Sequence, residues 1–191
     1  MISIAGLSIA SLIVLFFYGL LGSLGLPGGS LTLIAFGSLS GNITALIFVI
    51  IISFIAAVLG DILAYELARK LSDDFRNKLR KFSFFMNNEL KAKNLLNKYE
   101  FPIIFFTRFA LISLCVVVSY VSGFEKINRR KFILAVITGE ILYAIIYPLI
   151  GFIAGEVFSS ILSTINDVII VILLVALIFY FARFLIKRRR K

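Results

Sequence analysis

Histidine and tryptophan are absent from the 191 residues, cysteine occurs once and proline three times. Without histidine there is no imidazole for a Ser-His-Asp triad and no HExxH zinc site. A lone Cys115 cannot form an internal disulfide or a cysteine cluster. The sequence therefore gives no reason to expect a cofactor or a metal site. Acidic residues are also few, ten against twenty Lys and Arg, which leaves a formal charge of +10.

Apolar side chains fill the space left by these absences: they make up 61% of the chain, and the mean hydropathy is +1.06. They occur in long blocks, Ile2–Leu26, Leu31–Leu39, Ile43–Ala68, Phe101–Gly123, Phe132–Phe158 and Val168–Ile186. A run of about 18 apolar residues is long enough to cross a bilayer. The expected fold class is an all-α integral membrane protein with a single domain over 1–191. Ile2–Leu26 lacks an early basic cluster and a small-residue cleavage pattern, so it is expected to be retained.

Nineteen of the twenty basic residues fall in three clusters between or at the ends of the apolar blocks, Arg69–Lys98, Lys126–Lys131 and Arg183–Lys191. Basic residues beside membrane spans mark the cytoplasmic face and attract anionic headgroups. No nucleic-acid-binding module accompanies the charge, so the expected partners are anionic membrane lipids and not nucleic acid. The expected location is the cell membrane, with the basic loops and C-terminal tail cytoplasmic. The oligomeric state stays open.

If all three clusters share one side, Phe101–Gly123 begins and ends on that side and must be a re-entrant hairpin. Such backbone is tolerated only within protein or beside a water-filled cavity. Phe132–Phe158 then runs outward to a turn with Glu156 and Asp167, and Val168–Ile186 returns. Ile43–Ala68 runs inward, and the first block runs outward. Gly25-Leu26-Pro27-Gly28-Gly29-Ser30 with the short stretch after it predicts a second hairpin entering from outside, near 24–40. A kink in one continuous span is the competing reading.

The chain thus divides into a first half at 1–68, an amphipathic cytoplasmic segment at 69–100, a second half at 101–158 with its hairpin at 101–123, and a C-terminal helix and basic tail at 165–191. In the amphipathic segment Leu71, Phe75, Leu79 and Phe82 share one helix face, which suits either the cytoplasmic leaflet or a protein partner. Gly60-Asp61-Ile62-Leu63 recurs as Gly139-Glu140-Ile141-Leu142, an offset of 79. The two spans concerned run in opposite directions, as in an inverted repeat of the kind that builds many secondary transporters.

A charge at the bilayer centre costs about 2.5–3.5 kcal/mol on insertion scales and needs a partner, water or a function. Asp61, Arg108 and Glu140 are the residues concerned. Arg108 suits a lipid phosphate through its forked guanidinium, or an ion pair with Asp61 or Glu140. The offset of 79 sets Gly29 opposite Arg108, where the hairpin tips would converge. Asp61 and Glu140 read either as carriers of a proton or ion, or as hydrogen-bonded helix ends. Glu66 is expected to pair with Arg69 or Lys70. Tyr65, Tyr143 and Tyr147 read as interface or packing residues.

These residues resemble the DedA family, also called the VTT or SNARE-associated family, from about Gly25 to Gly155. The likeness is carried by Leu26-Pro27-Gly28, Gly60-Asp61 with Tyr65 and Arg69, Phe105 to Phe109 with Arg108, Gly123, Arg130-Lys131-Phe132, Gly139, and Gly151 to Gly155. The resemblance implies two re-entrant hairpins related by inverted symmetry, and the flipping or scrambling of phospholipids or polyprenyl phosphates. The family's usual acid after Pro-Gly is Gly29 here, and Leu111 and Leu114 replace its usual proline and second arginine. The expected function is movement of anionic lipid between leaflets, as scramblase or flippase, with Arg108, Gly28 and Gly29 at the headgroup and no enzymatic role. The alternative is a proton- or cation-coupled solute transporter working through Asp61 or Glu140. An intramembrane aspartyl protease is disfavoured, because Val58-Leu59-Gly60-Asp61 lacks the first glycine of GxGD.

Overall fold

The computed structural model describes residues 3–4, 7–71 and 73–155. The expected C-terminal helix Val168–Ile186, the turn with Glu156 and Asp167, and the basic tail lie outside the described residues. A two-residue antiparallel pair, β1 (Ser3–Ile4) and β2 (Leu7–Ser8), opens the chain. Ser8 then caps α1 (Ile9–Leu24), its hydroxyl accepting from the Ser11 amide at 3.1 Å. The first apolar block is thus a 16-residue helix behind a short hairpin rather than a full-length span.

Gly25 ends α1 at φ +124, and Gly28 precedes α2 (Gly29–Ser38) at φ +98. Pro27 between them has no N–H to donate, and L side chains rarely adopt these φ values, so the chain breaks here instead of continuing as one helix. Asn42 caps α3 (Ile43–Lys70), accepting from the Ala45 amide at 2.8 Å. The segment after α3 is two helices, α4 (Asp73–Leu79) and α5 (Ser83–Lys98). The expected single apolar face over Leu71 to Phe82 is therefore divided. Phe75 and Leu79 pack on the core, while Leu71 and Phe82 point outward. The block Phe101–Gly123 is likewise two helices, α6 (Glu100–Phe109) and α7 (Ile112–Phe124). Asn128 then starts α8 (Arg129–Gly155) by accepting from the Arg130 amide at 3.0 Å.

Glycine contacts fix how these helices lie. A Cβ on Gly60 of α3 would stand 2.6 Å from the Leu20 carbonyl oxygen and 2.7 Å from Ser23 Cβ of α1. A Cβ on Gly139 of α8 would stand 2.7 Å from the Phe105 carbonyl oxygen and 2.6 Å from Arg108 Cγ of α6. In each case the glycine lets a long helix meet two positions three residues apart on a shorter one. Leu12 and Leu15 share a cluster with Ala45 and Val49, and Leu20 and Ser23 lie on Gly60, so α1 runs parallel to α3, which corrects the expected opposite course of the first block, and α2 returns to the Ile43 end. Glu100 pairs with Lys131 at 3.1 Å, so α6 starts beside the start of α8. Gly123 sits against the Tyr65 carbonyl oxygen, which brings α7 back to the Lys70 end of α3. The two helix pairs therefore enter the bundle from opposite ends.

Their second limbs cross over. Gly37 of α2 lies against Pro148 of α8, and Gly151 of α8 against Ile34 of α2, while Gly123 of α7 lies on α3. Each short pair is thus clasped between both long helices. Tyr65 stacks on Phe132 with centroids 4.4 Å apart and donates to the Ile127 carbonyl at 2.6 Å, tying α3 to the start of α8. Arg69 bonds the Tyr65 hydroxyl and the Ile127 carbonyl. Glu66 instead pairs with Arg129 at 2.7 Å, which corrects the expected Glu66 to Arg69 or Lys70 contact.

Candidate functional site

Asp61, Arg108 and Glu140 are all buried, and the fold brings them into one cluster. At 1.5 Å per residue, Asp61 lies about 14 Å from the Lys70 end of α3 and Glu140 about 17 Å from the Arg129 end of α8. Arg108 reaches this depth from the last turn of α6. Its Nη1 stands 2.7 Å from Asp61 Oδ1, and both side chains are wholly shielded. The same nitrogen donates to Cys115 Sγ at 2.7 Å and to Ser119 Oγ at 2.9 Å. Ser119 Oγ donates in turn to Asp61 Oδ1 at 3.0 Å. Phe132 covers the guanidinium, its ring centroid 5.8 Å from Cζ.

Of the two roles open to Arg108, the ion pair is present. It engages one nitrogen only: Nε and Nη2 have no hydrogen-bond partner among the described residues, nor have Asp61 Oδ2 and Glu140 Oε2. Buried polar atoms are normally satisfied, so a group of unsatisfied donors and acceptors in one place marks a site with unused binding capacity. Cys115 and Ser119 were missed by the sequence reading. The signal was their spacing of four on α7, which puts both on the face turned to Arg108.

A cavity of about 580 Å³ adjoins the cluster. Arg108, Cys115, Glu140 and Tyr143 line its inner part, and Gly25 to Ser30 of the first helix break line its side. Leu79, Phe82, Phe84 and Phe85 of the α4–α5 turn line it as well, and Phe82 and Phe84 are exposed. A Cβ on Gly28 would stand 2.9 Å from the Tyr18 hydroxyl, which donates to the Pro27 carbonyl at 2.7 Å. A Cβ on Gly29 would stand 3.2 Å from the Tyr143 hydroxyl. Gly29 and Arg108 do line the same cavity, but in packing terms the counterpart of Arg108 is Ser23, through the matched glycines Gly60 and Gly139.

Free carbonyls at the helix breaks are met by tyrosines: Tyr120 donates to Leu24 O at 3.2 Å and Tyr147 to Phe109 O at 3.1 Å. That is the satisfaction that backbone needs away from water. The outer surface carries the complementary message. Ile43, Ile47, Ile51, Ile55, Leu59, Leu63 and Leu67 form an exposed apolar stripe along the whole of α3. A patch of that length fits lipid and not water. Both α3 and α8 are long and apolar enough to cross a membrane.

An apolar exterior around a buried ion cluster, with two helices of spanning length, marks a membrane protein. The VTT domain matches residues 26–153, and the chain belongs to that family, the DedA or SNARE-associated family of membrane proteins. No curated protein and no solved structure matches the chain.

Proposed function

We propose that this protein moves anionic lipid, a phospholipid or a polyprenyl phosphate, between the leaflets of the cell membrane as a scramblase or flippase. The observation that carries the reading is the single cavity joining exposed Phe82 and Phe84 to buried Arg108 and Glu140. An acyl chain can stay against the aromatic rim while the headgroup moves inward past Gly28 and Gly29. The unused Nε and Nη2 of Arg108 form the edge that binds phosphate in a bidentate manner.

In this reading α1–α2 and α6–α7 are re-entrant hairpins related by an inverted repeat. The matched contacts of Gly60 and Gly139 support it, as does the arrival of the two pairs from opposite ends. The basic end of the bundle, with Arg69–Lys98 and Lys126–Lys131, faces the cytoplasm. A second reading, a proton- or cation-coupled solute transporter, draws on the closeness of the Asp61 and Glu140 carboxyl groups.

Reconstitution into liposomes with leaflet-labelled anionic lipid tests the proposal. Transbilayer movement above the empty-liposome background is expected, and it should drop strongly in a folded Arg108→Ala variant. Movement no faster than in empty liposomes overturns the lipid reading.

A further inference from the structure

Arg108 and Cys115 line the cavity, yet they are only 1% and 9% exposed, so the way in to them is closed in this structure. A wall of the cavity has to move before any ligand reaches them. We propose that α4 is the hinged cover of this cavity and that Glu89 of α5 is its latch, gripping Arg76 and Arg80.

The remaining walls are locked by backbone contact. Gly60 seats α1 on α3, Gly123 seats α7 on α3, and Gly151 seats α8 on α2. A methyl group at any of the three would stand within 2.6 Å of a carbonyl oxygen across the contact, so these helices separate only by giving up close packing. Residues 71–100 contain neither glycine nor proline, and α4 and α5 rest on side chains instead. The two are not held alike. α5 buries Phe85, Glu89, Ala92 and Leu96, whereas no residue from Phe75 to Leu79 of α4 is fully buried. A unit with few buried apolar contacts is the first to open.

The joint and the grip of α4 fit that role. Leu71, extended at φ −85 and ψ 148, separates it from α3. Glu89 Oε1 accepts from Arg76 Nε at 2.5 Å, and Glu89 Oε2 accepts from Arg80 Nε at 2.6 Å. Arg76 Nη2 also stands 3.5 Å from Glu125 Oε1, beyond the end of α7. Charge therefore does for α4 what packing does for its neighbours. Leu79, between the two arginines, lines the cavity together with Phe82. When the latch lets go, α4 turns about Leu71, Leu79 leaves the wall, and Arg108 is reached from the basic end of the bundle.

Cys115 is the only cysteine and lies on the cavity, so its rate of reaction with N-ethylmaleimide reads the opening directly. The measurement follows access rather than transport, so its failure leaves the lipid reading standing, and the reverse holds too. The full chain in detergent, well below its Tm, should react slowly. Glu89→Gln should speed the reaction about tenfold, the worth of one charge-assisted hydrogen bond in the opening equilibrium. Arg76→Gln should speed it at least about threefold, since Arg80 keeps its hold. Glu66→Gln, which breaks the ion pair of α3 with Arg129 of α8, should leave the rate unchanged. In the unaltered protein, amides at 75–82 should exchange with deuterium well ahead of those in α7. An unchanged rate in folded Glu89→Gln or Arg76→Gln overturns the proposal, and so does an equal gain from Glu66→Gln. Exchange at 75–82 no faster than in α7 overturns it whether or not any variant folds.

Discussion

Arg108→Met is the most informative single change, because it keeps an apolar stem while deleting the positive charge at the centre of the cluster. Arg108 Nη1 alone contacts Asp61 Oδ1, Cys115 Sγ and Ser119 Oγ, and all three contacts are lost together. Removing one member of a buried ion pair costs about 3–5 kcal/mol, since the other charge stays buried without a partner. Ser119 still donates to Asp61, so the lower end applies, about 3 kcal/mol. For a chain of this size 1 kcal/mol shifts Tm by about 2–4 °C, which predicts a fall of roughly 6–12 °C. The assay is thermal unfolding in detergent, alongside the double variant Asp61→Asn with Arg108→Met. Because that double variant removes both charges, it should recover at least about half of the loss. A single-variant Tm within about 3 °C of the parent, or a double variant no more stable than the single, would refute the argument.

Gly151→Ala should destabilise by about 1–3 kcal/mol, because the new methyl carbon would lie 1.9 Å from the Ile34 carbonyl oxygen and force α2 away from α8. Gly41→Ala, with nothing within 4 Å among the described residues, is the thermal-unfolding control. Single cysteines at exposed Lys91 and Arg130, in a Cys115→Ser background, should be labelled from the same side of the membrane; labelling from opposite sides would overturn the hairpin reading of α6–α7. Burial pushes the Glu89 carboxyl up, but hydrogen bonds and charge from Arg80 and Arg76, at 2.6 and 2.5 Å, outweigh it and hold the group below its ordinary 4.5. A depressed carboxyl stabilises the fold above its unfolded pKa and loses that contribution as pH falls through the folded value. The Tm advantage of the parent over Glu89→Gln should therefore be full near pH 6 and shrink steadily below about 4.5, as followed by unfolding across pH.

Much of the fold was legible because it follows from local chemistry. Pro27 with its flanking glycines announces a break, and the apolar runs of α3 and α8 their length. What was not legible depends on contacts between distant segments. Arg69 had a suitable acid three residues before it, at Glu66, yet it turns to Tyr65 and the Ile127 carbonyl, which the return of the chain at 125–128 brings within reach. Glu66 is left to Arg129, a residue that spacing rules along one helix cannot find. The apolar spacing from Leu71 to Phe82 fitted one helix, but Ser and Asp at 72–74 are helix-starting residues, and α4 begins among them.

The candidate site divides along the same line. Asp61, Arg108 and Glu140 stood out in the sequence because charge in an apolar block is costly, and that argument needs no neighbours. Their mutual distances do need neighbours, and the repeated glycines provide the geometric reason. Gly60 and Gly139 each precede an acid, and each admits a shorter helix to within van der Waals contact of its own long helix. The acid one position further on is thereby turned toward the space between the two halves, where α7 delivers Cys115 and Ser119. The Gly-acid motif can thus be read as a packing device and a charge carrier in one, and the offset of 79 was its only trace in the sequence. That offset set Gly29 against Arg108 because it aligned the long helices. The short ones align at a different offset, Leu20 and Ser23 with Phe105 and Arg108, since the chain from Ser23 to Gly60 is longer than the chain from Arg108 to Gly139. Where Arg108 brings charge to the second half, Ser23 is neutral, so all the buried positive charge of the cluster enters from one side. The cavity is therefore asymmetric in charge, with Arg108 of its lining standing at the α6–α7 break.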